Sequence, residues 1–150
     1  MNAWVLRAIA LGALVVFLRT VLGFAMVNWP TWGVLMRLFC LIVLVSFVLY
    51  WGVLDGRRGR SAQSDPERGT DPALVWLEAA AAAGLGSGLG AWMLDWLPTF
   101  DLGDNGLLFE LTAAASFIFL LIFIPARIGV VGGRALAARA TTSQFTPAPA

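Results

Sequence analysis

The chain has 150 residues, of which 59% are hydrophobic and only 13% are charged, about half the charged fraction of an ordinary soluble domain. Its net charge of +1 gives no reason to expect a nucleic-acid partner, and its length suits one compact unit. There is no histidine, and Cys40 is the single cysteine. These counts exclude an internal disulfide and a multi-cysteine or histidine metal site. The sequence predicts no cofactor, no catalytic residue and no enzymatic activity.

Two long apolar runs open the chain. The first covers residues 3–27, which at about 1.5 Å per residue cross the roughly 30 Å hydrocarbon core of a bilayer. A cleaved signal peptide is the competing interpretation, but the run is too long, lacks a dense basic start and is interrupted by Arg19. After a turn that contains Pro30, the second run covers residues 32–54. We predict a hairpin of two membrane-spanning helices.

An arginine-rich loop at residues 55–71 separates this hairpin from the second half of the chain. The loop combines arginines with glycine, serine, proline and acidic residues, a composition that predicts a mobile segment outside the hydrocarbon. At its end, Asp71 and Pro72 are typical of a helix N-cap and a first helical position. A new helix is therefore predicted to start here.

The third predicted span, residues 73–97, is rich in small residues. Its four glycines alternate with other residues: Gly84, Gly86, Gly88 and Gly90. They form two interlocking pairs with a spacing of four, and small residues at this spacing let helix backbones approach closely in a bilayer. We interpret all four as helix-packing residues, so that this helix is surrounded by protein, either in the bundle or in an oligomer. A substrate path lined by these glycines is the less favoured alternative.

The fourth predicted span is residues 107–124, and it meets Pro125. Beyond the proline, the glycine- and alanine-rich stretch 127–139 carries arginines and predicts an amphipathic extension onto the membrane surface. We expect one four-helix transmembrane domain over residues 1–139, followed by a disordered cytoplasmic tail at 140–150.

Arginine placement predicts the topology. Eight of the ten arginines fall on one side of a four-span arrangement. They are Arg7, Arg57, Arg58, Arg60, Arg68, Arg127, Arg134 and Arg139. The positive-inside rule therefore places both termini and the middle loop in the cytoplasm. We predict an all-α, multi-pass protein of the inner (plasma) membrane, with four transmembrane helices in two hairpins and an N-in/C-in orientation.

Charged residues inside the spans are the candidate functional residues. Arg19 follows Arg7 by about 12 residues, roughly 18 Å into the first span, where an arginine costs about 2.5–3.5 kcal/mol even on the lenient insertion scale. It therefore needs a partner at similar depth. Depth along the helices predicts a cluster of Arg19, Arg37 and Glu110 near the outer leaflet, to which Thr20 and Thr112 add hydrogen bonds.

Two roles remain open for this cluster. In the functional interpretation, Glu110 is a proton site or a cation-substrate site. In the structural interpretation, which we favour, the cluster fixes the helix register, because two arginines beside one carboxylate suit a permanent bridge better than a proton carrier. A fourth candidate, Glu78, lies near the opposite side of the membrane. We favour a position of Glu78 at the headgroup level, with an ion pair to Arg7 or Arg127 as the alternative.

A set of short motifs gives the chain a family resemblance. They are WGVLDGR at 51–57, DPER at 65–68, Asp71, Trp76-Leu77, Glu110-Leu111-Thr112, Phe123-Ile124-Pro125-Ala126, Gly129 and Gly133-Arg134. In this order they resemble the bacterial four-helix drug/metabolite-transporter-like family of actinobacterial membrane proteins. The resemblance covers the chain up to about Leu136 and implies four transmembrane helices and a transport role.

Two functions follow as expectations. The first is a small transporter of unknown substrate, which must be oligomeric because four short helices hardly enclose a cavity with two gates. The alternative is a structural or accessory subunit of a larger membrane protein complex. The partners expected are the lipid bilayer and either further copies of the chain or other membrane proteins.

Overall fold

The computed structural model describes residues 3–61, 72–95 and 107–144, and these residues are almost entirely helical. They form four long helices, each long and apolar enough to cross a membrane, so the chain is a multi-pass membrane protein. The first three helices are Ala3–Asn28, Gly33–Ser61 and Pro72–Asp95. The fourth consists of Leu107–Phe109, the π-helical turn Glu110–Ala114 and Ala115–Gln144. A short 3-10 turn, Pro30–Trp32, joins the first two helices.

The four predicted spans are confirmed, and the third helix starts at Pro72 as predicted. Two predicted boundaries are wrong. The second helix does not stop at residue 54 but continues to Ser61, so the first part of the arginine-rich loop is helical. The tail predicted at residues 140–150 is helical as far as Gln144. The predicted Asp71 cap and residues 145–150 of the tail lie outside the described residues.

The fourth helix passes through Pro125 and continues to Gln144. Proline removes one backbone hydrogen bond, but neighbouring helices make this tolerable in a membrane-spanning helix. Pro125 is buried between the helices. The predicted amphipathic extension is therefore continuous with the fourth span, and one face of its first two turns, at Gly129 and Gly133, packs on the second helix.

The core of the bundle is narrow and built mostly from small and medium side chains. The most extensive contacts join the second helix to the fourth and the first to the third, with the third also packed on the fourth. Leu11, Val48, Trp76 and Ile122 are fully buried at the centre. Many large apolar side chains face outward, as expected where lipid rather than water surrounds the helices.

Reciprocal glycines hold the second and fourth helices together. Each helix presents two glycines four residues apart to the other: Gly52 and Gly56 on the second, Gly129 and Gly133 on the fourth. A Cβ atom added at Gly52 would lie 2.7 Å from the Ala126 carbonyl oxygen, and one added at Gly129 would lie 2.6 Å from that of Leu49. No side chain fits at such distances, so the two backbones are in direct contact.

The other two glycines show that these helices run in the same direction. A Cβ atom at Gly56 would collide with the Val130 carbonyl oxygen, and one at Gly133 with that of Val53. The contact therefore advances along both helices together. Our sequence interpretation assigned no packing role to these four glycines, although their spacing is the same small-residue signal that we used for the third helix.

Candidate functional site

An intramembrane ion pair joins the first and fourth helices. The Arg19 Nη1 and Nη2 atoms donate hydrogen bonds to the two carboxylate oxygens of Glu110, both at 2.7 Å. This is a bidentate pair, the geometry in which guanidinium and carboxylate groups interact most strongly. The predicted contact between these two residues is present.

The two partners of this pair differ in burial. The Glu110 side chain is only 4% exposed, whereas that of Arg19 is 24% exposed. The long apolar stem of an arginine lets its charged end reach toward a more polar level while its backbone stays deeper. Loss of Arg19 would therefore leave a buried carboxylate, whereas loss of Glu110 would leave a cation that can move outward.

The Glu110 backbone lies where three helices converge. Glu110 is the first residue of the π-helical turn Glu110–Ala114, and a Cβ added at Gly88 of the third helix would lie 2.7 Å from the Glu110 carbonyl oxygen. A π-helical turn holds one extra residue and shifts the side chains that precede it around the helix axis; such turns are frequent at functional sites. The turn and the glycine together fix where the carboxylate points.

The prediction that Arg37 joins this cluster is wrong. Arg37 is exposed on the second helix, and its Nη2 atom donates to the Met26 sulfur at 3.6 Å. The prediction considered only depth along the helix, whereas contact also requires that the side chain point in the right direction around the helix axis.

The predicted contributions of two threonines are also wrong. Thr20 donates to the Val16 carbonyl oxygen and Thr112 to that of Leu108, each one turn back on its own helix. Such internal bonds satisfy a hydroxyl without any partner helix. Among the residues that the structure describes, the site is therefore a pair and not a larger network.

A second polar cluster, which sequence reasoning missed, lies at the opposite end of the bundle. The Arg7 Nη2 atom lies 2.8 Å from Asp55 Oδ2, and the Trp76 indole nitrogen donates to the same oxygen at 3.1 Å. The Arg7 guanidinium also stacks 5.3 Å from the centre of the Trp76 ring, a favourable cation–π distance. The cluster connects the first three helices.

The signal for this second cluster was present in the sequence. Asp55 is the first acidic residue after the second apolar run, and the hairpin brings it to the depth of Arg7. The predicted end of the second helix lies one residue earlier and therefore assigns Asp55 to the loop. Arg7 thus pairs with Asp55 and not with Glu78. Glu78 itself is exposed, and no described residue forms an ion pair with it.

The glycines of the third helix divide between different surroundings. A Cβ atom added at Gly84 would lie 2.7 Å from the Ala115 carbonyl oxygen, so Gly84, like Gly88, packs directly on the fourth helix. Gly90 faces the first helix, where an added Cβ would lie 3.1 Å from a Val16 methyl group. At Gly86 an added Cβ would meet nothing within 4 Å. Packing within the bundle is therefore confirmed for Gly84, Gly88 and Gly90, whereas for Gly86 the packing role stays a prediction that needs a second chain.

Gly86 instead borders an open groove between the first and third helices. The groove has a volume of about 410 Å³ and is lined by apolar residues that include Trp4, Gly12 and Ala82. With no charged side chain in its lining, it suits a lipid chain or another apolar surface better than a polar solute.

The chemistry available to the described residues is that of charge pairing. They contain no group of three or more cysteine, aspartate or glutamate residues placed to hold a metal ion. No model of a known protein family matches the chain, and neither does any curated protein. The geometry of the two charge clusters is thus the basis for a functional assignment.

Proposed function

We propose that this protein is a small transporter of the inner (plasma) membrane, of the four-helix drug/metabolite-transporter-like type, and that it works as a homo-oligomer. The observation that carries the proposal is the bidentate Arg19–Glu110 pair, which lies inside a membrane-spanning bundle. Ionisable groups within membrane spans are rare and commonly mark a substrate or ion pathway.

In this proposal the pair acts as a displaceable gate, because one described arginine, and not the predicted two, lies beside Glu110. It joins the first helix to the fourth, so exchanging one partner for a charged ligand releases the two helices from each other. An organic cation or a proton that neutralises Glu110 takes over the role of Arg19. The Arg19 side chain then moves toward the headgroup level of the membrane. The π-helical turn beneath Glu110 supplies a segment that can change its helical register.

An oligomer is part of the proposal because one copy offers little internal space. The core described above is packed with side chains, and the groove beside Gly86 opens to the outer surface of the bundle. The translocation path therefore lies between copies and reaches the pair from the side of Arg19, the more exposed partner. The N-in/C-in orientation also belongs to the proposal, and labelling of whole cells carrying Gln63→Cys or Gly103→Cys tests it: only position 103 should react with an impermeant reagent.

A second candidate is an accessory subunit of a larger membrane complex. The observation in its favour is that the Arg19–Glu110 pair is complete without any ligand, as a purely structural bridge would be. In that case the pair sets the register of the first and fourth helices, and the exposed helix surfaces meet other membrane proteins.

Flux measurements in proteoliposomes separate the two candidates. A pH-sensitive dye inside the vesicles reports proton movement driven by a gradient of tetraethylammonium, an organic cation that crosses lipid bilayers poorly on its own. We expect flux by the wild type, at least tenfold slower flux by Glu110→Gln, and normal flux by the control Glu78→Gln, whose side chain is exposed. Equal flux in all three would remove Glu110 from the mechanism. Absence of flux, with a foreign protein retained after gentle extraction, would favour the accessory subunit.

A further inference from the structure

Backbone contacts join the second, third and fourth helices into one unit. Gly52 and Gly129 put the second and fourth helices in direct contact, as described above. Gly84 and Gly88 do the same for the third and fourth helices, because a Cβ atom added at either would lie 2.7 Å from a carbonyl oxygen of the fourth helix. Where two backbones touch, no side chain lies between them that can repack. We call these three helices the glycine-locked unit.

The first helix packs on this unit less closely. A Cβ atom added at Gly12 would lie 3.7 Å from the Ala83 Cα atom, which is an ordinary van der Waals distance. At Gly90 of the third helix, an added Cβ would meet a methyl group of the Val16 side chain and not backbone. At these positions the first helix therefore lacks the close backbone approach found within the unit. Contacts of this looser kind permit the small tilting and sliding movements of packed helices.

Polar contacts hold the two ends of the first helix. Near one end, Arg7 lies 2.8 Å from Asp55 of the second helix and stacks 5.3 Å from the ring centre of Trp76 on the third. Nearer the other end, Arg19 donates to both carboxylate oxygens of Glu110 on the fourth helix. We call these the Arg7 contact and the Arg19 contact. In both, the cation belongs to the first helix and its partners belong to the glycine-locked unit.

The middle of the first helix is held by apolar packing instead. Gly12 follows Arg7 by five residues and precedes Arg19 by seven, which is roughly 8 and 10 Å along the helix axis. Beside it, Leu11 and Val15 are buried in the core. Each end thus depends on a charge pair that a competing ion or a proton can break, whereas the middle does not. A helix held in this way can tilt about its middle.

We propose that the first helix tilts on the glycine-locked unit about Gly12, and that the Arg7 and Arg19 contacts release in turn at opposite ends of the bundle. The inference rests on the proposed transport function and deepens it, because alternating access needs two gates that are not open together. The Arg19 contact is the first gate and the Arg7 contact is the second. The turn Pro30–Trp32 keeps the Arg19 end beside the second helix, so this end moves away from the third and fourth.

Distances between spin labels, measured by pulsed electron paramagnetic resonance on the full chain in lipid nanodiscs, test the inference. The labels attach to cysteines introduced at exposed positions in a Cys40→Ser background. Two pairs span the first and third helices, one at the Arg19 end and one at the Arg7 end, and a control pair lies within the glycine-locked unit. In this order the pairs are Val21→Cys/Met93→Cys, Leu6→Cys/Leu74→Cys and Tyr50→Cys/Ile128→Cys.

Breaking one contact should move only the end that it holds. A tilt of about 15°, as in known rigid-body transitions, moves Val21, nine residues from Gly12, by about 3 Å. We expect Glu110→Gln to lengthen the label distance at the Arg19 end by about this amount, without lengthening the distance at the Arg7 end. Asp55→Asn should do the reverse, with a change of about 2 Å because Leu6 lies nearer to Gly12. The control distance should not change in either variant.

Three results would overturn the inference: unchanged distances in both variants, lengthening at both ends in a single variant, or lengthening of the control distance. If Glu110→Gln does not fold, Arg19→Lys replaces it, because lysine keeps the charge but cannot bind both carboxylate oxygens in parallel. It should also lengthen the distance at the Arg19 end. Flux by the wild type without any change in label distance would refute the tilt alone. The expected distance changes in a protein without flux would support the tilt and refute transport.

Discussion

Two contacts made by the fourth helix rest on opposite physical principles. Its contact with the second helix contains no charge and depends on glycines that let two backbones touch. Its contact with the first helix depends on two full charges joined by hydrogen bonds of 2.7 Å. The first contact gains from close dispersion packing, and the second from Coulomb attraction in a medium of low dielectric constant.

The two contacts should therefore respond differently to change. A contact between two backbones has no room for even one added methyl group, but it does not depend on a partner side chain of opposite charge. An ion pair tolerates the removal of both partners better than the removal of one, because a single buried charge has no compensation. Thermal unfolding of purified variants in one detergent measures both behaviours.

The largest effect is expected for Arg19→Leu, which leaves the buried Glu110 carboxylate without its cation. We expect a loss of about 3 kcal/mol, at the lower end of the range for broken buried pairs because Arg19 itself is partly exposed. Glu110→Leu should cost less, since the remaining arginine can extend to a polar level. The double variant should lie above Arg19→Leu in stability. If the double variant is as unstable as the single one, the two residues do not stabilise each other.

The glycine contact provides the next largest effect. Gly133→Ala places a Cβ against the Val53 carbonyl and should cost about 2 kcal/mol, within the range for overpacking. Gly132→Ala is the matched control one residue earlier, where an added Cβ meets nothing within 4 Å. It should be neutral or stabilising by up to about 1 kcal/mol through helix propensity. Similar melting temperatures for both variants would contradict the reciprocal glycine contact.

A smaller effect is expected in the second polar cluster. Asp55→Asn removes the charge that Arg7 contacts and weakens the acceptor of the Trp76 indole, so we expect a loss of about 1–1.5 kcal/mol. Glu78→Gln serves as control, because Glu78 is exposed and should change stability by less than about 0.5 kcal/mol. A loss in the control as large as in Asp55→Asn would indicate that the cluster contributes nothing particular.

The smallest effect should occur at Gly86. Gly86→Ala adds a methyl group to an open groove, so its stability should stay within about 0.5 kcal/mol of the wild type or rise slightly. Gly84→Ala, two residues away on the same helix, should be destabilised because its Cβ meets the Ala115 carbonyl. A large loss at Gly86 would reveal a contact on this face that the isolated chain does not make.

Hydropathy alone was enough to predict the four spans, because the bilayer sets one length that every spanning helix must reach. It could not predict where the helices end. The second helix continues to Ser61 and the fourth through Pro125 to Gln144, since each packs on the other beyond the apolar run. Amino-acid composition indicates which segments lie in lipid, whereas the positions of these helix ends depend on packing against a neighbouring helix.

The candidate site was predictable as far as it depends on the depth of each residue in the membrane. Counting residues along each helix placed Arg19 and Glu110 at compatible levels, and this pair is present. The same count failed for Arg37, because contact also requires the right direction around the helix axis. Direction explains Gly86 too: residues two apart lie about 200° from each other on a helix, so Gly84 and Gly86 cannot face the same neighbour.

The position of Glu110 near the start of the fourth helix has a consequence for biosynthesis. A chain is made from its N terminus, so Arg19 enters the membrane long before the residue that neutralises it has been synthesised. The glycine side of the second helix likewise faces lipid during this interval. We expect the nascent protein to stay dependent on the insertion machinery or on chaperones until the last helix arrives. A prematurely terminated product would retain an uncompensated cation within the bilayer, a feature that proteolytic surveillance can recognise.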